Sequence, residues 1–275
     1  MSNTTTTDRH APVRAEQRSP GYWRVTFDNP PLNLYDPEVE TALATVVDQL
    51  ETDPEVKVVV FDSALPEFFM AHLNLGRVAE FGEGMPTWFD IVSRLGNAPF
   101  ITVGSLRGRA RGIGNEFLLA LDVRFASREK AVLSQLEIGT GIIPGCGGIQ
   151  RLLRLTGRSR ALEIITSGED FDADTAASYG WINRAVPDAE LDAVVDRFAR
   201  RIASFDTEAL RAVKEIVNED APQVETADVA ATHRRFAALL ARESVQERLR
   251  QSAKAAPEVI YDLELHMGER LGARS

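Results

Sequence analysis

Apolar residues follow two different rhythms along this chain. In the first two thirds they come in short runs. "YWRVTFD" (22–28) alternates apolar with polar positions, the period of a half-buried strand. "VKVVVFDS" (56–63) is almost continuously apolar, as expected of a strand covered on both faces. "FITVGSLRG" (100–108), "DVRFAS" (122–127) and "INRAVP" (182–187) are of the same kind. Helical spacing falls between these runs. Asp36 is placed to cap and Pro37 to open a helix over 36–53, with Val39, Leu43, Val46, Val47 and Leu50 on one stripe. "GGIQRLLRLTG" (147–157), "SRALEIITSG" (159–168) and "DADTAASYG" (172–180) also predict helices. Beyond about residue 188 the strand signals stop, and every segment has the spacing of an amphipathic helix.

This order predicts an α/β core, with strand–helix alternation favouring parallel pairing, followed by an all-helical region. The expected boundaries are a disordered tail over 1–20, a core over 21–195 and a helical region over 196–275. The tail expectation rests on the Thr-, Arg- and Pro-containing start "MSNTTTTDRHAPVRAEQRSPG", which has no apolar signal-peptide core. No sequence repeat of fixed period stands out.

Composition narrows the function. With 41 acidic against 31 basic residues, the net charge of −10 argues against a nucleic-acid partner. Arg107, Arg109 and Arg111 form a local basic patch suited to a small anion. A single cysteine, Cys146, allows no intrachain disulfide and fits a reducing, cytoplasmic compartment. No apolar run is long enough for a membrane span. Phosphate-loop, dinucleotide-turn and nucleophile-elbow motifs are missing, and the four histidines lie too far apart to predict a zinc site.

Two glutamates stand beside glycine-rich backbone. In "RGIGNEFLLALDVRFAS" (111–127), Gly112 and Gly114 precede Glu116, which leads into a leucine run. In "LSQLEIGTGIIPGCGGIQRL" (133–152), Glu137 precedes a glycine-rich loop that feeds a helix. Two carboxylates facing one water supply a general base and a general acid. Free amides at a helix start stabilise a developing oxyanion. The plainer alternatives are a first-turn glutamate favoured by the helix dipole at 116 and a loop-capping carboxylate at 137.

The chain resembles the enoyl-CoA hydratase/isomerase (crotonase) superfamily over about residues 22–190. "GRARGIGNEFLLALDVRFAS" (108–127) is similar to the family segment G-x-A-x-G-G-G-x-E-L-A-L-A-C-D-x-R-x-A, and "QLEIGTGIIPGCGGIQRL" (135–152) to P-E-x-x-x-G-x-x-P-G-x-G-G-x-x-R-L. The resemblance implies a ββα spiral core with a C-terminal trimerisation region, assembled as a homotrimer or a dimer of trimers. It implies hydration of an enoyl-CoA by Glu116 and Glu137, with the thioester oxygen between the main-chain amides of Leu73 and Ile113. Ala71, Leu73, Asn74, Leu75, Gly112, Pro144 and Gly145 are the implied substrate contacts. Coenzyme A arrives with the substrate, and no metal or other cofactor is implied. Isomerase or hydratase-lyase chemistry, or a silent CoA-binding assembly role, are the alternatives. The segment "MAHLNLGR" (70–77) departs from the family's A-G-A-D-L-K pattern at His72, Leu73 and Asn74, and Ile113 stands for a glycine. Arg109 and Arg111 depart as well, and are expected to narrow or recharge the pocket.

Overall fold

The computed structural model describes residues 11–272 apart from 222, 225, 253 and 255. Its larger sheet has six strands: β1 (Val13–Ser19), β2 (Tyr22–Phe27), β3 (Val58–Ser63), β5 (Ile101–Leu106), β7 (Val123–Ser127) and β10 (Arg184–Val186), adjacent in that order. All neighbours are parallel except β1 and β2. The smaller sheet orders β4 (Phe68–Met70), β6 (Arg109–Arg111), β8 (Val132–Ser134) and β9 (Phe171–Asp172).

Between and after the strands lie twelve α-helices among the described residues. They are α1 (Pro37–Thr52), α2 (Pro86–Asn97), α3 (Ile113–Ala120), α4 (Glu137–Thr140), α5 (Gly148–Ser167) and α6 (Ala173–Tyr179). The last six follow without a strand: α7 (Asp188–Ala203), α8 (Thr207–Asp220), α9 (Thr226–Leu240), α10 (Glu243–Ser252), α11 (Pro257–Leu265) and α12 (Met267–Gly272).

The chain winds by a repeated step. One strand enters the large sheet, the next enters the small one, and a helix follows: β3–β4–α2, β5–β6–α3, then β7–β8–α4. The steps begin at residues 58, 101 and 123, so their spacing is uneven and no fixed period reaches the sequence. The alternation in β3 explains the continuous apolar run. Val59 and Phe61 enter the main core, while Val58 and Val60 face Leu191, Val195 and Ala199 of α7. An aromatic group fills the space above α3, with Phe117 edge-on to Phe27 at 5.3 Å and to Phe61 at 5.2 Å. Each such ring contributes roughly 1.5–3 kcal/mol by burial.

The expected disordered tail is corrected over its described part. Val13–Ser19 is a strand that pairs antiparallel with β2. It is an edge strand in which only Val13 is buried, so backbone hydrogen bonds hold it and its polar side chains resemble those of a tail. Residues 1–10 lie outside the described ones. The two helices predicted over 147–168 follow one another within α5 and meet at Gly157, where φ is 78°.

Candidate active site

All eight residues of α3 are buried, so its N-terminus opens into protein and not into bulk water. Gly112 precedes it with φ 50° and ψ −123°, a backbone state open essentially to glycine alone. Gly114 has a different reason. A Cβ there would lie 2.3 Å from the Met70 carbonyl oxygen, so glycine lets α3 press against the end of β4.

That contact sets α3 beside the loop after β4. The loop runs as a short strand-like extension along residues 32–35. Tyr35 N–H donates to the His72 carbonyl (2.9 Å), and Asn74 N–H donates to the Tyr35 carbonyl (3.2 Å). A trans peptide points its C=O and N–H in opposite directions. The His72 carbonyl faces Tyr35, so the Leu73 N–H faces away from it. The same reasoning holds at α3. The Gly112 carbonyl accepts from Glu116 N–H (2.9 Å), so the Ile113 N–H points out of the helix start. Leu73 and Ile113 both line one cavity of about 360 Å³.

Glu116 and Glu137 line the same cavity. Glu116 is 2% exposed, and its Oε1 accepts two main-chain hydrogen bonds, from Cys146 (2.8 Å) and Gly148 (2.7 Å) at the start of α5. Burial pushes its carboxyl up to about 7, against the pull of those two amides and of Arg151. Glu137 is driven well above the carboxylate range, first by burial and then by the charge of Glu116. Fewer hydrogen bonds favour its ionised form. Glu137 is raised the more strongly of the two, so when the pair carries a single charge that charge is favoured on Glu116.

A buried amide chain stands behind Glu137. Trp181 Nε1 donates to Asn115 Oδ1 (3.0 Å). With the Gln135 amide turned so that both of its ends are satisfied, Asn115 Nδ2 donates to Gln135 (2.8 Å) and Gln135 donates to Glu137 (2.9 Å). Asn115 and Gln135 have no solvent exposure.

Of the other sequence-predicted contacts, Asn74, Leu75, Gly112 and Gly145 line the cavity. Ala71 does not: it is packed with Leu32 and Phe68 in a separate apolar cluster. Pro144 is buried beside the cavity without lining it. The arginine expectation is also corrected. Arg107 is bound to Asp188 and Asp192, Arg109 to Glu67 and the Leu265 carbonyl, and Arg111 to Asp170 and the Glu264 carbonyl. They tie elements together and do not line the pocket.

The far wall was not legible in the sequence. Phe236, Leu249, Ile260, Leu263, Met267 and Leu271 reach the cavity from α9 to α12. Only their helical spacing was visible, and that does not tell which surface a stripe meets.

Comparison with known proteins bears on the family and the fold. The model of the enoyl-CoA hydratase/isomerase family matches residues 17–256. The short-chain-enoyl-CoA hydratase of Clostridium acetobutylicum is 30% identical over 203 residues, 70% of this chain and 76% of that one. A crystal structure of a candidate enoyl-CoA hydratase from Streptomyces avermitilis superposes with a TM-score of 0.90 at 40% identity, covering 98% of this chain and 99% of that one. An enoyl-CoA hydratase from Mycobacterium avium subsp. paratuberculosis gives a TM-score of 0.79 at 26% identity, over 88% of this chain and 98% of that one. The ββα winding, the matched motifs and these relatives lead to one conclusion: the chain belongs to the enoyl-CoA hydratase/isomerase family.

Proposed function

We propose that the protein adds water across the 2,3 double bond of an enoyl-CoA thioester. The observation that carries this reading is that Leu73, Ile113 and two unlike carboxyls, Glu116 and Glu137, line one cavity. The thioester oxygen lies between the amides of Leu73 and Ile113. As water attacks C3, negative charge moves onto that oxygen, and each donor lowers the barrier by roughly 3 kcal/mol. The positive end of α3 adds to the same field.

Glu116 and Glu137 hold the water between them. Ionised Glu116, steadied by the Cys146 and Gly148 amides, takes the water proton. Protonated Glu137 delivers a proton to C2 as the enolate collapses. The addition is redox-neutral, so coenzyme A enters as part of the substrate and no further cofactor is called for. The acyl chain lies against the apolar residues of α9 to α12.

The same reading includes a homotrimer or a dimer of trimers in the cytoplasm. Val213, Ile216 and Val217 on α8 are 61%, 58% and 55% exposed, a face suited to a second copy of the chain.

Incubation with crotonyl-CoA tests the reaction. Loss of the conjugated-thioester absorbance, abolished in Glu116→Gln and Glu137→Gln, supports hydration. Conversion of a 3-enoyl-CoA to its 2-enoyl isomer without hydration replaces it with isomerisation. No turnover of either leaves the silent CoA-binding role.

A further inference from the structure

His72 stands in the cavity wall yet takes no part in the proton traffic above. Its ring is held at both nitrogens. Nδ1 lies 2.8 Å from the Leu73 carbonyl oxygen, and Nε2 lies 3.0 Å from Oε1 of Glu264 on α11. A carbonyl oxygen only accepts, so Nδ1 carries hydrogen. A neutral ring would then turn a bare Nε2 toward an acceptor-only carboxylate. The contact is satisfied when both nitrogens carry hydrogen and Glu264 is ionised.

Leu73 is thereby gripped on both of its peptide planes. Tyr35 N–H holds the carbonyl of the peptide before it, and the His72 ring holds the carbonyl of the peptide after it. Resting on the acyl-CoA reading, we infer that His72 is a positioning residue: its imidazolium, bonded to the Leu73 carbonyl and to Glu264, keeps the Leu73 N–H aimed at the substrate oxygen and fastens α11 to the cavity wall.

The surrounding charges support the pair. Burial pulls the ring toward its neutral form, but the Glu264 charge and hydrogen bond, with the Leu73 carbonyl, outweigh it and raise the His72 pKa. Glu264 is lowered in turn: burial opposes this, and His72 and Arg111 overcome it. Arg111 approaches from β6 and repels an imidazolium, but its guanidinium is held by Asp170. Glu137 of α4 adds an acidic group on the cavity wall. Arg248 of α10 and Arg270 of α12 share that wall, bonded to the Thr140 carbonyl and to Asp262. When His72 loses its proton, Nε2 no longer donates and Glu264 is left as a buried charge without its partner.

The full chain is tested with butyryl-CoA, a saturated thioester that cannot be hydrated, carrying an isotopically labelled carbonyl. In the unaltered protein, the bound carbonyl band moves to lower frequency than in water. The displacement shrinks with rising pH, in step with deprotonation of His72 followed by NMR of labelled imidazole. Glu264→Gln moves both titrations together to lower pH. His72→Gly removes most of the band displacement and lowers kcat on crotonyl-CoA by roughly ten- to a hundredfold, with a smaller change in KM. His72→Asn, which keeps a donor near the Nδ1 position, restores part of both. Butyryl-CoA binding with a band unchanged in His72→Gly and Glu264→Gln overturns the His72 assignment alone. Failure of the unaltered protein to bind butyryl-CoA overturns the acyl-CoA reading and the assignment with it.

Discussion

The main-chain N–H of Gly148 donates to Oε1 of Glu116 across 2.7 Å, joining the first turn of α5 to the first turn of α3. The same oxygen takes the Cys146 N–H, so one carboxylate oxygen closes a helix start and a glycine loop. The sequence separates these partners by about thirty residues. Their meeting makes Glu116 both a structural acceptor and a candidate base.

The two roles separate by substitution. Glu116→Gln keeps an oxygen for both amides, so it folds with nearly unchanged stability while turnover of crotonyl-CoA falls by roughly 10²-fold or more. Glu116→Ala leaves two buried N–H groups without a partner and costs about 1–3 kcal/mol for each. Thermal melts set beside kcat distinguish the two variants.

Stability is expected to fall as pH rises through the neutral range. Glu116 titrates near 4.5 when unfolded and at about 7 in the folded chain, so the folded state holds the extra proton between those values. The stabilisation is full below about 4.5 and lost as pH passes about 7. Glu40, raised by burial to about 7, has the same sign. Tm measured across this window should decline, and the double variant Glu40→Gln, Glu116→Gln should reduce the slope to the part that raised Glu137 still contributes. A wild-type Tm that climbs with pH here contradicts the assignment.

Gly114→Ala is expected to damage the site through packing. The added methyl meets the Met70 carbonyl oxygen at 2.3 Å, so α3 must retreat from β4. Overpacking of this kind costs about 1–3 kcal/mol. Because Ile113 opens α3 and Leu73 lies in the loop that follows β4, kcat should drop more than the stability change alone predicts. An alanine variant with unaltered kcat removes this coupling.

Gln135→Met tests the amide chain behind Glu137. It leaves the buried Asn115 Nδ2 without its acceptor, a cost of about 1–3 kcal/mol, and removes a donor that favours ionised Glu137. The Glu137 pKa should rise further, moving the upper limb of the kcat–pH profile to higher pH. An unmoved limb argues that Glu137 does not titrate in turnover.

Arg111 has no solvent exposure, and Asp170 supplies its counter-charge through Nε at 2.8 Å. Asp170→Asn should cost about 2 kcal/mol, less than the roughly 3–5 kcal/mol of a wholly buried pair because Asp170 is partly open to water. The exposed pair of Arg128 and Asp174 is the control, and its loss should cost under about 1 kcal/mol. Equal losses from the two pairs contradict the reading of Arg111 as a tie between β6 and the loop before β9.

The strands of the large sheet were legible wherever a strand buries a face. β2, β3, β5, β7 and β10 each fall within the runs read from the sequence. The small sheet was not, since its strands are two or three residues long and too short to display a period. β1 was missed because its stability comes from main-chain pairing with β2 and not from apolar side chains. Glu116, Glu137, Leu73 and Ile113 were legible through motif resemblance, and the structure brings all four to one cavity. His72 stood out only as a departure from the family pattern, and Glu264 and the apolar wall from α9 to α12 carried no mark.

By itself, the sequence determined the local elements: which stretches hide one face, which hide two, and where glycine must relieve the backbone. Those properties depend on neighbours within a few residues, so a linear reading recovers them. Tertiary structure alone decided that Leu73, in the loop after β4, and Ile113, at the start of α3, line the same cavity. It also decided that a helix nearly two hundred residues beyond His72 supplies the carboxylate that holds its ring. Contacts of that kind arise from how the two sheets and the closing helices pack, and the energy that selects them is spread over the whole core.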